Sequence, residues 1–454
     1  MKWLQFLPRF RAARLALTEM EAREQWTRAQ IEEFQLNRLN SLWADVVVNV
    51  PYYRDLAKRQ PLPRTFTSLS HFQSTIPIVD KSIVNGRCAE FLSEKAAKGK
   101  WYHSGGSTGV PASYFRSNAA HLECLRGRYR AHQMWDIDLF DRWVFLWGHA
   151  ASFAPGLPGR IARWKQPVLD RLRNRLRLSA YSLGSEHLRN HLQKIAAFRP
   201  VGIYAYSTAA YLLAREAKAI KFHCPSLKLV VLTAEPAFPH IVEACEDAFG
   251  VPAVAEYGAV EANAIAFEWP DRKLRVREDL VSLETLRRPD DRYDIVVTAL
   301  NSNSFPLIRY AIGDVSDSPA QYPEVGFAHL TNVAGRHQDL IINKAGEPIF
   351  AGWFEDVLEY NDSIRRYQVH QHDSGHLSVM LELTNPTATV DVAEVERKFQ
   401  DKSGFSVDVS IVEKMPASRA GKHRWITSDM ANKVSEPPSI DGPEVPVSNF
   451  SETN

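Results

Sequence analysis

The sequence is poor in cysteine, and the cysteines it has are far apart. The 454 residues include four, Cys88, Cys124, Cys224 and Cys245, and no Cys-x-x-Cys pair. Disulfide-stabilised secreted domains and cysteine-based zinc sites need more cysteines or closely spaced ones. We therefore predict free, buried thiols in a reducing compartment, and neither a disulfide framework nor a cysteine zinc site.

The sequence also lacks a recognisable Ser-His-Asp triad, and its 15 histidines are not predicted to hold a metal. His370, His372 and His376 alternate along a predicted hairpin. We interpret these three as surface residues rather than zinc ligands.

An excess of one charge and a long apolar run are both missing. The 55 Lys and Arg residues nearly balance the 53 Asp and Glu residues, giving a net charge of +2, whereas a general nucleic-acid binder has a large basic excess. No stretch approaches the roughly 20 apolar residues of a membrane span. Pro8, Arg9, Arg11 and Arg14 interrupt the N-terminus, which makes it a poor secretory signal. We expect a cytoplasmic protein with no nucleic-acid partner.

One basic segment suggests contact with a surface. Seven basic residues lie between Arg160 and Arg177, interleaved with apolar residues such as Trp164 and Leu172. Basic amphipathic helices can lie on anionic membranes, but a solvated helix face is the more common explanation. We favour a solvated helix and leave peripheral membrane contact open.

Short apolar runs separated by helical patterns predict an α/β fold. The strand-sized runs are at residues 143–148, 201–207, 227–235 and 252–258. Their alternation with helices is typical of a sheet with flanking helices, in which sites lie at the carboxyl ends of the strands. Residues 274–300 predict an antiparallel addition, and residues 12–48 predict one helix that ends near Pro51.

After about residue 335 the pattern changes to that of a small α+β unit. Two hairpins, two helices and a last strand at VDVSIVEKM follow in β-α-β-β-α-β order. From Val434 onward the chain is rich in Pro and Ser and has no basic residue, which predicts a disordered tail. The predicted boundaries are 1–335 for a large N-terminal domain with mixed sheets, 336–432 for a small C-terminal domain and 433–454 for the tail.

Five segments have residues suited to binding a nucleotide, although each also has a plain structural explanation. They are residues 104–111, 256–261, 307–314, 335–342 and 417–424. The first is a Gly, Ser and Thr turn whose amides and hydroxyls could hold phosphate oxygens, or an ordinary loop. The second offers a carboxylate for Mg²⁺ and a tyrosine for a flat ring, or is a capped turn. The third places an acid after a glycine turn, and the last is a basic loop.

Taken together and in this order, the five segments resemble those of the adenylate-forming superfamily, which includes acyl- and aryl-coenzyme A ligases, luciferases and nonribosomal adenylation domains. The resemblance extends from Tyr102 to Arg424. It is strongest to the phenylacetate–coenzyme A ligase branch and its relatives in capsular polysaccharide biosynthesis. The segments that carry this narrower resemblance are NVPYYRDL (49–56), IPIVDKSIV (76–84), IYAYSTAAYLLAREA (203–217) and FPLIRYAIGD (305–314).

The resemblance implies a two-step reaction with ATP and Mg²⁺. A carboxylate attacks the α-phosphate of ATP and pyrophosphate leaves; an acceptor thiol, amine or hydroxyl then displaces AMP. The residues implied to bind the nucleotide are Ser104, Gly105, Gly106, Ser107, Thr108, Gly109, Glu235, Glu256, Tyr257, Gly258, Asp314 and Arg336.

Individual roles follow from the same resemblance. Tyr257 would stack on adenine, and Asp314 would bind the ribose hydroxyls. The implied catalytic residues are Thr108, on the pyrophosphate, Glu261, as the Mg²⁺ ligand, and Lys422, between the attacking carboxylate and the α-phosphate. In that position Lys422 would neutralise charge where it develops.

The chain departs from the superfamily pattern at the implied hinge of its mobile C-terminal domain. The usual Gly-Arg-x-Asp-Asp is Gly-Arg-His-Gln-Asp here, so Gln338 replaces the first aspartate before Asp339. A hinge needs backbone freedom more than a carboxylate, so we expect rotation with an altered equilibrium. The third segment has Ala-Ile-Gly-Asp, without the preferred threonine before its glycine.

The acid and the acceptor stay open. We expect the acyl pocket near Trp147, His149, Tyr206, Ala234 and Ala259, where the two alanines leave space for a bulky acid. Coenzyme A, an amine or a hydroxyl could be the acceptor. The alternative function is a non-catalytic nucleotide-binding relative, and the oligomeric state is not predicted.

Overall fold

The structure is a computed structural model of the 454-residue chain. It describes residues 8–103, 113–138, 140–147, 168–180, 183, 185–331, 333–336, 341–344, 348–349, 358, 363–373, 375–385, 387–415 and 425–429, with the backbone alone at 8–14, 103, 263, 334–336, 342 and 348–349. These residues form two compact units. The larger includes those up to Arg336, and the smaller those from Ile341 to Met415 and from Trp425 onward.

The larger unit begins with helices and continues as alternating helices and strands. Its helices are α1 (Pro8–Arg23), α2 (Arg28–Asn49), α3 (Pro51–Arg59), α4 (Leu69–Thr75), α5 (Lys81–Gly86), a 3-10 helix (Cys88–Phe91), α6 (Asn118–Gln133), a helical segment at 168–172, α7 (Ser185–Phe198), α8 (Ser207–Ala219) and α9 (Pro239–Phe249). Its strands are β1 (Gly99–His103), β2 (Ser113–Ser117), β3 (Trp143–Trp147), β4 (Arg175–Ser179), β5 (Gly202–Tyr206), β6 (Leu229–Thr233), β7 (Ala253–Ala259), β8 (Asn263–Glu268), β9 (Leu274–Val276), β10 (Val281–Arg287), β11 (Tyr293–Ala299), β12 (Tyr310–Ser316), β13 (His329–Leu330) and β14 (Val333–Arg336). Among the described residues, no helix is long and apolar enough to cross a membrane.

An eight-stranded mixed sheet is the centre of this unit. Its strand order is β13-β9-β8-β7-β6-β5-β3-β4, with parallel pairing from β4 to β7 and antiparallel pairing beyond. Every residue of β5 and β6 is buried, as expected for parallel strands covered on both faces. The four apolar runs predicted as strands are therefore β3, β5, β6 and β7, and their carboxyl ends meet at one edge.

A second sheet is antiparallel, with the order β10-β11-β12-β14. Ile265 of the eight-stranded sheet packs in one apolar cluster with Leu283 and Ile295 of the second. This packing places the end of β7 close to β12, which are separated in sequence by four other strands. The antiparallel addition predicted at residues 274–300 is present and larger than expected.

The helix predicted at residues 12–48 is interrupted in the structure. Glu24 to Thr27 separate α1 from α2, and the Thr27 side chain accepts from the Gln30 amide while Gln30 reaches back to Thr27. This capping box starts a new helix. The carboxylate of Glu24 is buried and accepts hydrogen bonds from Arg130 and Arg277, so the break has a tertiary cause that helical periodicity does not show.

The basic segment is also different from the prediction of one solvated helix. Residues 168–172 are helical, but β4 begins at Arg175 and pairs parallel with β3. Arg177 and Asp170 form an ion pair at 3.1 Å. The end of the segment is therefore an edge strand. Residues 148–167 lie outside the described part of the chain.

The smaller unit contains one four-stranded sheet. Its elements are β15 (Ile341–Ile342), β16 (Pro348–Ile349), β17 (Ile364–Gln371), β18 (Leu377–Leu383), α10 (Val392–Ser403), β19 (Val407–Val412) and β20 (Ile426–Ser428). The sheet order is β19-β18-β17-β20, with β20 parallel to β17. VDVSIVEKM was expected to be the last strand, but β20 follows it. The first of the two helices predicted for this unit and the predicted tail lie outside the described residues, apart from Leu358.

Candidate functional site

The candidate site begins at the carboxyl ends of the parallel strands. Register pairs Tyr206 of β5 with Thr233 of β6, and Thr233 with Glu256 of β7. The ring of Trp147, the last residue of β3, lies 4.1 Å from that of Tyr206, measured between centroids. Ala234 packs in the same apolar cluster. Three of the residues predicted for the acyl pocket are thus adjacent, whereas Ala259 packs in the cluster between the two sheets.

Tyr257 and Asp314 meet between the two sheets. The Tyr257 hydroxyl donates a hydrogen bond of 2.9 Å to Oδ2 of Asp314. Asp314 lies opposite Arg336 in the pairing of β12 with β14. Three residues that the sequence resemblance assigns to the nucleotide therefore occupy neighbouring positions of β7, β12 and β14.

The residue before Asp314 is a glycine with an unusual backbone conformation. Gly313 has a φ of +86°, a conformation that side chains with a Cβ rarely adopt. A Cβ at Gly313 would meet no atom within 4 Å, so backbone conformation rather than space requires the glycine. The tight turn predicted before Asp314 is instead part of strand β12, whose pairing with β11 shifts register between Asp294 and Val296.

Glu261, the predicted metal ligand, is half-buried just after β7. Arg116 lies near it, because its Nη2 donates to the carbonyl of Val260 at 2.6 Å. The guanidinium also lies 4.5 Å from the centroid of the Tyr102 ring. Burial lowers the pKa of Arg116, and the negative charge of Glu261 acts in the opposite direction.

Arg116 was not identified from the sequence. It belongs to β2, which pairs with β1 so that His103 lies opposite Ser113. These two paired strands flank the Gly/Ser segment at 104–111. An arginine shortly after that segment was therefore the feature of the sequence that could have identified Arg116 as a site residue. The contact with Val260 spans 144 positions, which no local pattern reveals.

Glu256 is held by two partners that the sequence did not indicate, the buried Tyr204 and the half-buried Arg128. Its carboxylate accepts from Nε of Arg128 at 3.1 Å, from Nη2 of Arg128 at 2.8 Å and from the Tyr204 hydroxyl at 2.6 Å. Burial raises the pKa of Tyr204 well above its ordinary value. Burial alone would lower the pKa of Arg128, but Glu256 raises it well above the ordinary value. The nucleotide role of Glu256 stays a prediction. In this structure its carboxylate binds the side chains of Arg128 and Tyr204.

Glu235 likewise has a structural partner. Its Oε2 accepts from the Thr208 amide at 2.8 Å, and the Ser207 hydroxyl donates to its carbonyl at 3.1 Å. The carboxylate therefore caps the N-terminus of α8, where negative charge is favourable. The residue before it, Ala234, has a φ of +66°. A non-glycine residue in this conformation stores strain, which often concentrates near functional sites.

The arginine of the segment at 305–314 forms part of the core. Arg309 donates to Glu284 through Nε at 2.9 Å and through Nη2 at 2.8 Å, and Nη1 donates to the carbonyl of Ile76. Burial raises the pKa of Glu284, and Arg309 opposes that rise. The segment IPIVDKSIV thereby contacts FPLIRYAIGD, so two of the segments that carry the narrower resemblance are neighbours.

Several predicted site residues lie outside the part of the chain that the structure describes. These are Ser104, Gly105, Gly106, Ser107, Thr108, Gly109, His149, Gln338, Asp339 and Lys422. The side chain of Arg336 is also outside it. Gly258 lies beside a β-bulge between β7 and β8. The described part of the candidate site therefore comprises Tyr257, Asp314 and Glu261 with their neighbours, and the carboxyl ends of the parallel strands.

Comparison with known proteins identifies the fold. No protein-family model matches the sequence. Protein CapK of Staphylococcus aureus is 20% identical over 416 residues, which cover 88% of this chain and 89% of CapK.

One similar solved structure is 2-hydroxyisobutyryl-CoA ligase in the postadenylation state, in complex with 2-HIB-AMP. The similarity covers 91% of this chain and 93% of the ligase, with a TM-score of 0.70 and 16% sequence identity. The same ligase with 2-HIB-AMP and CoA in the thioesterification state has a TM-score of 0.58 at 16% identity, over 91% of this chain and 93% of the ligase. The predicted fold of the adenylate-forming superfamily, with a large N-terminal and a smaller C-terminal domain, is confirmed.

Proposed function

We propose that this chain is an AMP-forming ligase. It activates a carboxylic acid with ATP, releasing pyrophosphate, and passes the acyl group from the acyl-adenylate to an acceptor. The fold supports this proposal, and the observation that carries it is the hydrogen bond between Tyr257 and Asp314. The resemblance assigns both residues to the nucleoside, and they lie together although 57 positions separate them.

The nucleoside end of the proposed site has suitable chemistry. A tyrosine ring offers a flat face for adenine, and its hydroxyl is held by Asp314. A carboxylate has about four lone-pair positions, so Asp314 can accept from ribose hydroxyls while it accepts from Tyr257. Arg336, opposite Asp314 in the sheet, would add positive charge near the ribose or phosphate.

The phosphates are proposed to lie toward the segment at 104–109. Adenylation brings anions together, so the site needs amide donors and cations around the reacting phosphate. The amides and hydroxyls of Ser107, Thr108 and Gly109 would supply the donors, and Lys422 the cation. Arg116, from the strand that follows this segment, adds a further positive charge beside Glu261.

The residues fit a bound Mg²⁺. Mg²⁺ in nucleotide sites keeps several waters and is held through one or two carboxylates together with substrate phosphates. Glu261 is half-buried and supplies one such carboxylate. When bound, the ion would neutralise phosphate charge, while Arg116 holds the adjacent carbonyl of Val260 in place.

The acid is proposed to bind at the sheet edge near Trp147 and Tyr206. Two aromatic faces in contact favour an apolar or aromatic acid over a strongly polar one. Coenzyme A is the first acceptor to test, because the similar ligase was solved with 2-HIB-AMP and CoA. The phenylacetate–coenzyme A ligase branch with its capsular relatives, to which the CapK match lends support, and the cytoplasmic location remain proposals. So does hinge rotation at Gln338.

The test is acid-dependent release of pyrophosphate from ATP and Mg²⁺. The panel contains aryl, fatty, amino and sugar acids, each with and without coenzyme A. We expect one acid class to give release that Lys422→Ala reduces by several hundredfold, as loss of a charge-stabilising group does. The matched control is Lys414→Ala, an exposed lysine of the smaller unit, which should retain full activity.

The same experiment separates the alternatives. Stimulation by coenzyme A would identify a thiol acceptor. ATP binding without pyrophosphate release for any acid would favour a non-catalytic nucleotide-binding protein. Absence of ATP binding altogether would overturn the proposal.

A further inference from the structure

We propose a divalent transition-metal site on the smaller unit, formed by the imidazoles of His370 and His372 and the carboxylate of Asp429. One ligand atom from each residue lies within 4.8 Å of the other two. His370 is in β17, His372 follows that strand, and Asp429 follows β20. The site lies in the smaller unit and goes beyond the proposed adenylation chemistry.

The backbone holds all three residues in place. His370 is paired with Thr427 across β17 and β20. The Asp429 amide donates to the carbonyl of Gln371 at 2.8 Å, and the His372 amide donates to that of His376 at 2.9 Å. Because His370 and His372 are two positions apart in an extended segment, they lie on the same face of the sheet. Their ring centroids are 4.4 Å apart.

Hydroxyl groups orient the two imidazoles. Nδ1 of His370 lies 2.8 Å from Oγ1 of Thr427, and Nε2 of His372 lies 2.7 Å from Oγ of Ser378. An outer hydrogen bond of this kind fixes the orientation and tautomer of a metal-binding histidine. The geometry points to Nε2 of His370, which lies 3.2 Å from Oδ2 of Asp429, and Nδ1 of His372 as the ligating atoms.

The donor set defines the class of metal. Two imidazoles and one carboxylate, with water in the fourth position, are a common set for tetrahedral Zn²⁺. Imidazole nitrogen also suits Cu²⁺ and Ni²⁺, whereas Ca²⁺ and Mg²⁺ prefer oxygen. Metal–ligand distances of about 2 Å require donor atoms roughly 3.3 Å apart. The His370 and Asp429 side chains are 28% and 51% exposed, so they have room to close around the ion.

A metal here would join two strands that are otherwise weakly connected. Strand β20 has three residues and lies at the edge of the sheet. Its ladder with β17 is parallel and pairs only His370 and its two neighbours with β20. An ion shared by residues of both strands would clamp β20 to the sheet, since binding free energy adds to the folding free energy of the segment it joins.

The test is calorimetric titration of Zn²⁺ into the full chain after chelator treatment, in a buffer that does not bind metals. We expect one Zn²⁺ per chain. His370→Gln, His372→Gln and Asp429→Asn should each weaken binding by at least about tenfold, the effect expected for loss of a group in a metal's coordination environment. The matched control is His376→Gln, because the two ring nitrogens of His376 lie 2.8 Å from Oγ of Ser406 and 2.9 Å from Oδ2 of Asp408. Its affinity should be unchanged.

A second measurement uses the unsubstituted chain. Hydrogen exchange of the amides at residues 425–429 should slow when Zn²⁺ is added, with no change in the larger unit. The visible spectrum of the Co²⁺-loaded chain should have the intense bands of a tetrahedral ion. Failure to bind Zn²⁺ at 100-fold excess, binding that all three substitutions leave intact, or unchanged exchange at 425–429 would each overturn the proposal.

Discussion

Breaking the ion pair between Glu256 and Arg128 should strongly destabilise the larger unit. The perturbation is Glu256→Gln, which keeps the shape of the side chain and removes its charge. The Glu256 side chain is 3% exposed and that of Arg128 is 27% exposed. The substitution removes a charge that accepts two guanidinium hydrogen bonds and one from the Tyr204 hydroxyl.

The magnitude follows from these partners. Removing one member of a buried ion pair costs about 3–5 kcal/mol, because the remaining charge is buried without compensation. Since Arg128 retains some contact with water, we expect the lower end, a decrease of about 3 kcal/mol in the free energy of unfolding. That corresponds to a change of roughly 150-fold in the unfolding equilibrium constant.

The assay is urea unfolding monitored by tryptophan fluorescence, with a double-mutant cycle as the control. Replacing both members, as in Glu256→Leu with Arg128→Met, should cost less than the sum of the losses of the two single variants Glu256→Leu and Arg128→Met, because an apolar pair leaves no uncompensated charge. A Glu256→Gln variant within about 0.5 kcal/mol of the original chain, the range of ordinary surface substitutions, would refute the reasoning. So would a double variant whose loss equals the sum of the two single losses.

Three further predictions concern the nucleoside end and the core. Asp314→Asn should raise the KM for ATP by about 10- to 100-fold, because a charged acceptor for hydroxyl groups is lost. Pyrophosphate release at varied ATP concentration measures this KM. An unchanged KM would contradict the proposed role of Asp314 in binding the ribose. Gly313→Ala should lower the free energy of unfolding by about 1–2 kcal/mol through backbone strain alone. Urea unfolding measures this change. An unchanged free energy of unfolding would contradict the requirement for glycine at this position. The third prediction concerns His132, which is buried beside Trp143. Both of its ring nitrogens lack hydrogen-bond partners among the described residues. Burial, with a smaller effect of Arg128, lowers its pKa to about 3. Since the unfolded chain takes up this proton near pH 6.5 and the folded chain only near pH 3, stability decreases as the pH falls through this window, by about 2 kcal/mol between pH 7 and pH 5. His132→Phe should remove that contribution in melting experiments at both pH values, and an unchanged pH dependence would rule it out.

The sequence by itself determined much of the fold. Apolar runs of strand length predicted the parallel strands β3, β5, β6 and β7, because a strand buried on both faces must be apolar along its whole length. Pro51 ended one helix and began the next, since proline lacks an amide donor and suits the first helical position. The unusual backbone conformation of the glycine before Asp314 was also predictable, because local backbone conformation is a property of a few adjacent residues.

Only the tertiary structure decided which of these residues meet. The break between α1 and α2 depends on the buried carboxylate of Glu24. Its partners, Arg130 and Arg277, are 106 and 253 positions away in the sequence. The partner of Glu256 is 128 positions away, and the metal ligands proposed here come from strands separated by most of the smaller unit. Periodicity and spacing report on neighbours along the chain, whereas ion pairs and metal sites depend on positions that only packing brings together. That is why the sequence indicated candidate residues for a nucleotide, while the structure was needed to show that Tyr257 donates to Asp314 and that Arg116 lies close to Glu261.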